Sequence, residues 1–484
     1  MTRADLLLLS PWLLLGGGLV ALLVLVGFWR RHTGIAALTT ALLLATAALA
    51  LALALRAFGD LEATQPLVAL DGLALLMTAV FALAGAAVAV LARRYLEGRG
   101  RDPEEFYVLL ACAVFGAATL GAASHMATLL LGLEILAISL YALIAYPEGG
   151  TRPLEAALKY LVLSGVASTS LLFGAALVYA RTGSLGLDAP GGAGVVPADD
   201  PMLLVGTAMI FGAVAFKLSL VPFHLWTPDV YEGAPAPVSA FVSTVSKAAV
   251  VVVVLRIVIA ADLLAGGALF AGLATLAMLS MLVGNLLALL QRSVKRLLAY
   301  SSVAHMGYLM IALLAVGTSA GGALAVEATV VYVIAYTVMT LAAFGVVATL
   351  SPASAERDVD DETALTGLYW RRPFAATVLT IALLSLAGIP LTAGFLGKFY
   401  VVAAGVERSL WPLLWMLLVG SGIGLFYYLR ILQAMVRTPA DTPAPFAEQG
   451  LEGGWVLGIL AGTTLLLGTW PAWLVGLVQA SLAS

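Results

Sequence analysis

Cysteine is almost absent from this chain of 484 residues, where Cys112 stands alone. That excludes an intramolecular disulfide and any thiolate-held cluster or zinc site. Charge is scarce too, at 11% of residues, against about 25% in soluble domains. A chain this poor in charge cannot cover a water-exposed surface of ordinary polarity. No GxGxxG follows a strand and no Walker-type loop occurs, so no nucleotide site is evident. The four histidines, His32, His125, His224 and His305, are too scattered for an obvious metal set. Neither the net charge of −3 nor any basic run points to nucleic acid.

What is abundant is apolar. Hydrophobic residues make up 62% of the chain, and the mean hydropathy is +1.05. Runs of about 20 apolar residues recur from end to end, the length of a bilayer-crossing helix. A membrane β-barrel would alternate over ~10-residue segments instead. The pattern predicts an all-α polytopic membrane protein of about 14 transmembrane helices. The first run, near Trp12–Trp29, lacks a small-residue cleavage site and reads as a retained helix. With the N-terminus outside, fifteen of the 24 Lys and Arg fall in cytoplasmic loops and five in outer loops. The positive-inside rule therefore puts both termini on the outer side. The other four, Lys159, Lys217, Lys247 and Lys398, fall within spans.

Two spans carry helix breakers. The seventh has Pro222 and Pro228, and the twelfth reads LAGIPLTAGFLGKF, with Gly388, Pro390 and Gly394. Such breaks survive in a membrane only where neighbours or a wet cavity satisfy the freed backbone. The two are five spans apart, so they run in opposite directions, as in inverted repeats around a transport site. The expected halves are residues 104–261 (helices 4–8) and 268–434 (helices 9–13). Helices 1–3 in 1–103 and helix 14 in 453–484 flank them. Of the two longer loops, 184–200 lies outside and 351–372 inside. The acidic ERDVDDE of the latter reads as a solvated connector, or alternatively as a partner contact.

Ionisable residues at membrane depth are expensive and point to charge movement. Glu134 is central in LLLGLEILAISLYAL. It is either a neutral hydrogen-bonded core acid or a proton-relay carboxylate that finds a lysine on another helix. Lys217 lies near the midpoint of the broken seventh span. Burial and a movable carboxylate together can switch a lysine between holding and releasing a proton, whereas an arginine would stay charged. The plain alternative is a static ion pair. Lys247 is near the middle of span eight, His305 is central in span ten, and Lys398 lies ten residues beyond the twelfth-span break. These could form a polar line across the bundle. Lys159, near the cytoplasmic end of span six, either snorkels to the surface or takes part. His224, Asp229 and Glu232 either help admit protons or hold the broken backbone. Asp71 and Glu327 read as interfacial residues, and Lys295 and Arg296 as positive-inside anchors.

The segment PFHLWTPDVYEGAPAPVSAFVSTVSKAA resembles the membrane subunit N of the proton-translocating NADH:quinone oxidoreductases, respiratory complex I. The likeness extends to LKYLVLSGVASTSLLFGAAL, KRLLAYSSVAHMGYLM and LAGIPLTAGFLGKFY, and covers roughly residues 107–428. It implies fourteen helices with two inverted five-helix repeats. It also implies a proton path through Glu134, Lys217, Lys247 and Lys398, with His305 as an intermediate and lesser roles for Lys159 and His224. By the same resemblance the chain sits in a bacterial inner membrane, with its termini periplasmic, among other membrane subunits of the complex. It would hold no cofactor itself: NADH, FMN, iron–sulfur clusters and quinone would belong to partner subunits. Two other readings stay open at this point. One is a subunit of a multi-subunit Na+/H+ antiporter; the other is a structural spacer whose buried charges are packing devices.

Overall fold

The structure is a computed structural model that describes residues 3–56, 63–64, 67–99, 102–146, 150–192, 196–197, 200–261, 267–317, 322–352, 358–438, 446 and 451–482. Arg101 and Arg357, counted above among the cytoplasmic cations, lie outside them, as do parts of both long loops.

Helices dominate. In chain order those longer than four residues are α1 (Arg3–Phe28), α2 (His32–Arg56), α3 (Gly72–Leu96), α4 (Glu104–Gly121), α5 (Met126–Ile144) and α6 (Thr151–Thr182). Next come α7 (Pro201–Lys217), α8 (Trp226–Gly233) and α9 (Ala236–Ala261), the last passing through a π turn at Val242–Ser246. Then follow α10 (Gly267–Leu289), α11 (Val294–Ala315), α12 (Gly322–Leu350), α13 (Pro373–Ala387), α14 (Ala393–Glu407) and α15 (Trp411–Val436). The last two are α16 (Leu451–Thr469) and α17 (Pro471–Leu482). Among the described residues β pairing is limited to a two-residue ladder, Ala63–Thr64 against Ala69–Leu70, and three isolated bridges.

Eleven helices are long and apolar enough to cross a membrane alone, and α16 with α17 makes a twelfth span. α7 and α13 are shorter apolar helices that each lead into a break, and with eleven or more candidate spans among the described residues the protein is an all-α, multi-pass membrane protein. The last span differs from the expected straight helix: it bends by 86° between Thr469 and Pro471. Proline at N1 suits a new helix start, not a continuation.

Helix ends follow local chemistry. Asp71 caps α3 by accepting from Ala74 N at 2.8 Å, and Ser293 caps α11 by accepting from Arg296 N at 3.2 Å. Asp200 caps α7 through Met202 N and Leu203 N, with Pro201 at the first helical position. Side-chain oxygens thereby satisfy amides that no turn of helix can reach.

At the core, α11 and α12 are buried almost all round, while α1, α6, α10 and α15 leave broad apolar faces outward. Small residues let some helix pairs meet backbone to backbone. A Cβ on Gly116 or Gly132 would strike the opposite chain of the α4–α5 pair. A Cβ on Gly284 or Gly307 would do the same between α10 and α11. The elbow of the last span uses the same device, since Gly468 lies against the Leu391–Thr392 peptide with no room for a Cβ.

In its described part, residues 358–372, the inner loop is more than a solvated connector. Asp358 is buried, donated to by Tyr95 Oη and Lys295 Nζ, each at 2.7 Å, with Arg99 at 3.4 Å. Leu365 and Leu368, further along the same loop, are fully buried. Three cationic or phenolic donors, Tyr95 on α3, Arg99 just past its end and Lys295 on α11, draw this segment onto the bundle, which its acidic composition alone does not reveal.

Candidate functional site

Both breaks are closed by side chains. In the first, α7 ends at Lys217 and Ser219 turns the chain with φ +62°. Trp226 Nε1 donates to Phe216 O at 3.0 Å, and Val221 N donates to Ser280 Oγ at 2.9 Å. In the second, Gly388 caps α13 with φ +86°, and Gly394 N donates to Ser385 Oγ at 2.9 Å. Freed backbone groups thus find partners inside protein, the condition for a break at membrane depth. Each break also puts a helix C-terminus, with its partial negative charge, beside a lysine. Lys217 is itself the last residue of α7. Lys398 folds back to donate to Ala387 O, at the end of α13, at 2.8 Å.

The buried lysines share a pattern. Lys217 Nζ donates to Ser164 Oγ at 2.6 Å and stands 5.5 Å from the Tyr160 ring centre. Lys247, first after the π turn, donates to Ser302 Oγ at 2.8 Å and stands 5.5 Å from the Tyr231 ring. Lys398 donates to Ser421 Oγ at 3.2 Å and stands 5.2 Å from the Tyr308 ring. None of the three has a carboxylate within 4.0 Å among the described residues. Hydroxyls and ring faces stabilise a cation, the latter by about 0.5–2 kcal/mol, without supplying a full counter-charge.

His305 is enclosed by tyrosines. Its Nδ1 lies 2.7 Å from Tyr332 Oη, and its ring centre is 5.5 Å from Tyr308 and 5.4 Å from Tyr336. Tyr336 donates to Ser302, the hydroxyl that holds Lys247, while Tyr308 underlies Lys398. Lys247, His305 and Lys398 are therefore brought into one cluster around α11. Between Lys217 and Lys247 the structure places rings: Tyr160 to Trp226 at 4.9 Å, then Trp226 to Tyr231 at 6.3 Å. Among the described residues the expected relay groups do not bond to one another directly.

Glu134 is half-buried on α5, and its Oε1 has no hydrogen-bond partner. No ion pair of 4.0 Å or less joins it to Lys217. Its neighbours on the same helix, Leu131 and Ile138, face outward. Beside Lys217 a cavity of about 10 Å³ is bounded by Leu129, Leu133, Ser168 and Val250. Its exposed lining is apolar, and Ser168 Oγ has no hydrogen-bond partner.

The two remaining candidates lie apart. Lys159 Nζ pairs with Glu155 at 2.7 Å and Asp229 at 2.8 Å, partly exposed. Asp229 and Glu232 in turn bind Arg296, at 3.0 and 2.8 Å. His224 is buried against the Tyr300 ring at 6.4 Å, with Nδ1 lacking a hydrogen-bond partner. Lys295, read above as an anchor, is buried; besides Asp358 it binds Glu232 O at 2.9 Å and Ala234 O at 2.6 Å. At the opposite end of the bundle Asp71 makes a two-pronged pair with Arg256, at 2.6 and 2.8 Å.

The hydroxyls were missed in the sequence. Ser164 sits in an apolar run, and Tyr141 follows Glu134 by two turns on one helix face. That spacing was the available signal. Nothing local marks Ser302 or Tyr336, which lie on different helices.

A helical bundle with two broken spans and buried cations at the breaks defines a transporter-type membrane subunit. Residues 123–424 match the family described as NADH:quinone oxidoreductase/Mrp antiporter, transmembrane. The chain belongs to this family and is a complex-I-like, antiporter-type membrane subunit. A chain of respiratory complex I from Thermus thermophilus, solved with bound aureothin, is 34% identical over 97% of this chain and 99% of its own, with a TM-score of 0.82. A chain of the Mrp complex from Dietzia sp. shares the fold at 20% identity, covering 100% and 97%, with a TM-score of 0.85. A chain of the archaeal membrane-bound sulfane sulfur reductase is similar at 26% identity, covering 99% and 97%, with a TM-score of 0.80.

Proposed function

We propose that this chain is the N-type proton-translocating subunit of a bacterial NADH:quinone oxidoreductase. Protons move from cytoplasm to periplasm through Glu134, Lys217, Lys247, His305 and Lys398. Lys159 and His224 sit on the intake side. The chain itself holds no redox cofactor; NADH, FMN, iron–sulfur clusters and quinone lie in partner subunits, and neighbouring membrane subunits deliver the coupling. The observation that carries this reading is the set of three buried lysines bound to hydroxyls instead of carboxylates. A lysine so held is free to change charge, as a relay requires.

Other features support it. The close-packed glycines of α4–α5 recur in α10–α11, at matching places in the two proposed five-helix halves. Half-exposed Glu134, between outward-facing leucine and isoleucine, suits a carboxylate that meets a neighbouring subunit, since a bare charge against lipid is unfavourable.

The test is NADH-driven proton uptake in proteoliposomes holding the assembled complex. Glu134→Gln and Lys217→Ala should each lower pumping by about tenfold to a hundredfold. Pumping at the normal rate with normal assembly would reject the reading and favour a spacer. Co-purification with antiporter subunits instead of quinone-reductase subunits would favour the Mrp-type alternative.

A further inference from the structure

Two of the buried lysines belong to hydroxyl triads of one design. Ser164 Oγ accepts from Lys217 Nζ at 2.6 Å and from Tyr141 Oη at 2.8 Å. Ser302 Oγ accepts from Lys247 Nζ at 2.8 Å and from Tyr336 Oη at 2.6 Å. In each case lysine, serine and tyrosine come from three different spans: α7, α6 and α5 in the first, α9, α11 and α12 in the second. Both serines are fully buried. Each is the only hydrogen-bond acceptor its lysine has among the described residues.

We propose that Ser164 with Tyr141, and Ser302 with Tyr336, are positioning pairs that let Lys217 and Lys247 stay buried in either charge state. The reason lies in what a hydroxyl can do. Towards an ammonium it accepts; towards a neutral amine it turns and donates to the lone pair. No covalent bond is made or broken on the serine. The tyrosine hydroxyl occupies the second lone pair of Oγ, so the rotor has few other orientations. A carboxylate would favour one charge state strongly, and an alanine would satisfy neither. The duplication matters, because the two serines sit on differently placed spans, Ser164 in LVLSGVAS of α6 and Ser302 in LAYSSVAH of α11, yet arrive at the same constellation.

Other ionisable groups face these sites. Around Lys217 they are Glu134 and Tyr141 on α5 and Tyr160 on α6, while α9 lines the small cavity beside it with Val250 and Val253. Around Lys247 they are Tyr231 on α8, Tyr336 on α12 and His305 on α11. None of them takes the place of the serine oxygen.

This inference rests on the proton-translocation reading, so the test separates the two. The pH profile of NADH-driven proton uptake is measured in assembled complex carrying Ser164→Ala, Ser302→Ala or Tyr141→Phe, with Lys217→Ala as reference. Hydrogen bonds to a charged group exceed those to a neutral one, so Ser→Ala should move the alkaline limb to lower pH by roughly one unit. Tyr141→Phe should move it the same way by less, and Ser164→Thr should restore it. Because Tyr141→Phe removes one oxygen from a half-buried ring, it assembles even if a serine variant does not. Wild-type profiles in the serine or tyrosine variants, with Lys217→Ala inactive, would overturn the triads alone. Full pumping by Lys217→Ala would remove the reading beneath them as well.

Discussion

Lys217 and Lys247 meet hydroxyl oxygens, at 2.6 and 2.8 Å, whereas Lys159 and Lys295 meet carboxylates, at 2.8 and 2.7 Å. The first pair lies mid-span and the second on the basic face of the bundle. Opposite charges about 4 Å apart attract by about 4 kcal/mol at an effective dielectric of 20, enough to fix a lysine as a cation. A hydroxyl leaves the choice open. One residue type therefore does two jobs, and the partner decides which. At the basic face lysines tie segments together; mid-span they are left able to lose charge.

Three changes would break or sharpen this contrast. The largest effect should come from Asp358→Asn, which strands Lys295 and Arg99 without their counter-charge. Removing one partner of a buried pair destabilises by about 3–5 kcal/mol, readable as a fall in the thermal denaturation midpoint of the assembled complex. Acid should mimic the change. Burial alone would raise the Asp358 carboxyl, but Lys295, Tyr95 and Arg99 outweigh it and hold it below the usual carboxylate range. Its contribution is complete above the unfolded value of about 3.9 and is lost as pH falls through the lower native value. Asp358→Asn should be insensitive to that acid step.

Next in size is Ser302→Asp, which would give Lys247 the kind of partner that Lys295 has. Fixing the ammonium in its charged state should lower proton uptake by about tenfold or more while leaving assembly intact. Normal uptake would end the contrast between the two kinds of lysine. The smallest effect belongs to Lys159→Ala. Partly exposed ion pairs are worth about 0–1 kcal/mol, so stability should shift within that range and pumping by less than about twofold. A larger loss of pumping would move Lys159 from the rim into the path.

The membrane class, the run of many spans and both breaks were legible because each is written in contiguous residues: apolar runs, LVPFHLWTP and LAGIPLTAG. The lysines were legible because charge in such runs stands out. Their partners were not. Serine and tyrosine are unremarkable in apolar helices, and Ser302 lies 55 positions from Lys247. The expected Glu134–Lys217 pairing likewise depended on a distance between helices, and within this chain the two do not reach ion-pair contact. The inner loop misled for the opposite reason. Its acids looked like solvent-facing charge because Tyr95, Arg99 and Lys295, which bury Asp358, lie 263, 259 and 63 positions away.

The elbow at Gly468 has a consequence far from its own place in the chain. Because that glycine abuts the peptide between Leu391 and Thr392, the last span acts as a wedge under the turn that presents Lys398. A bulkier residue at 468, or a fusion that drags on α17, would pry that turn open and retune a lysine seventy positions upstream.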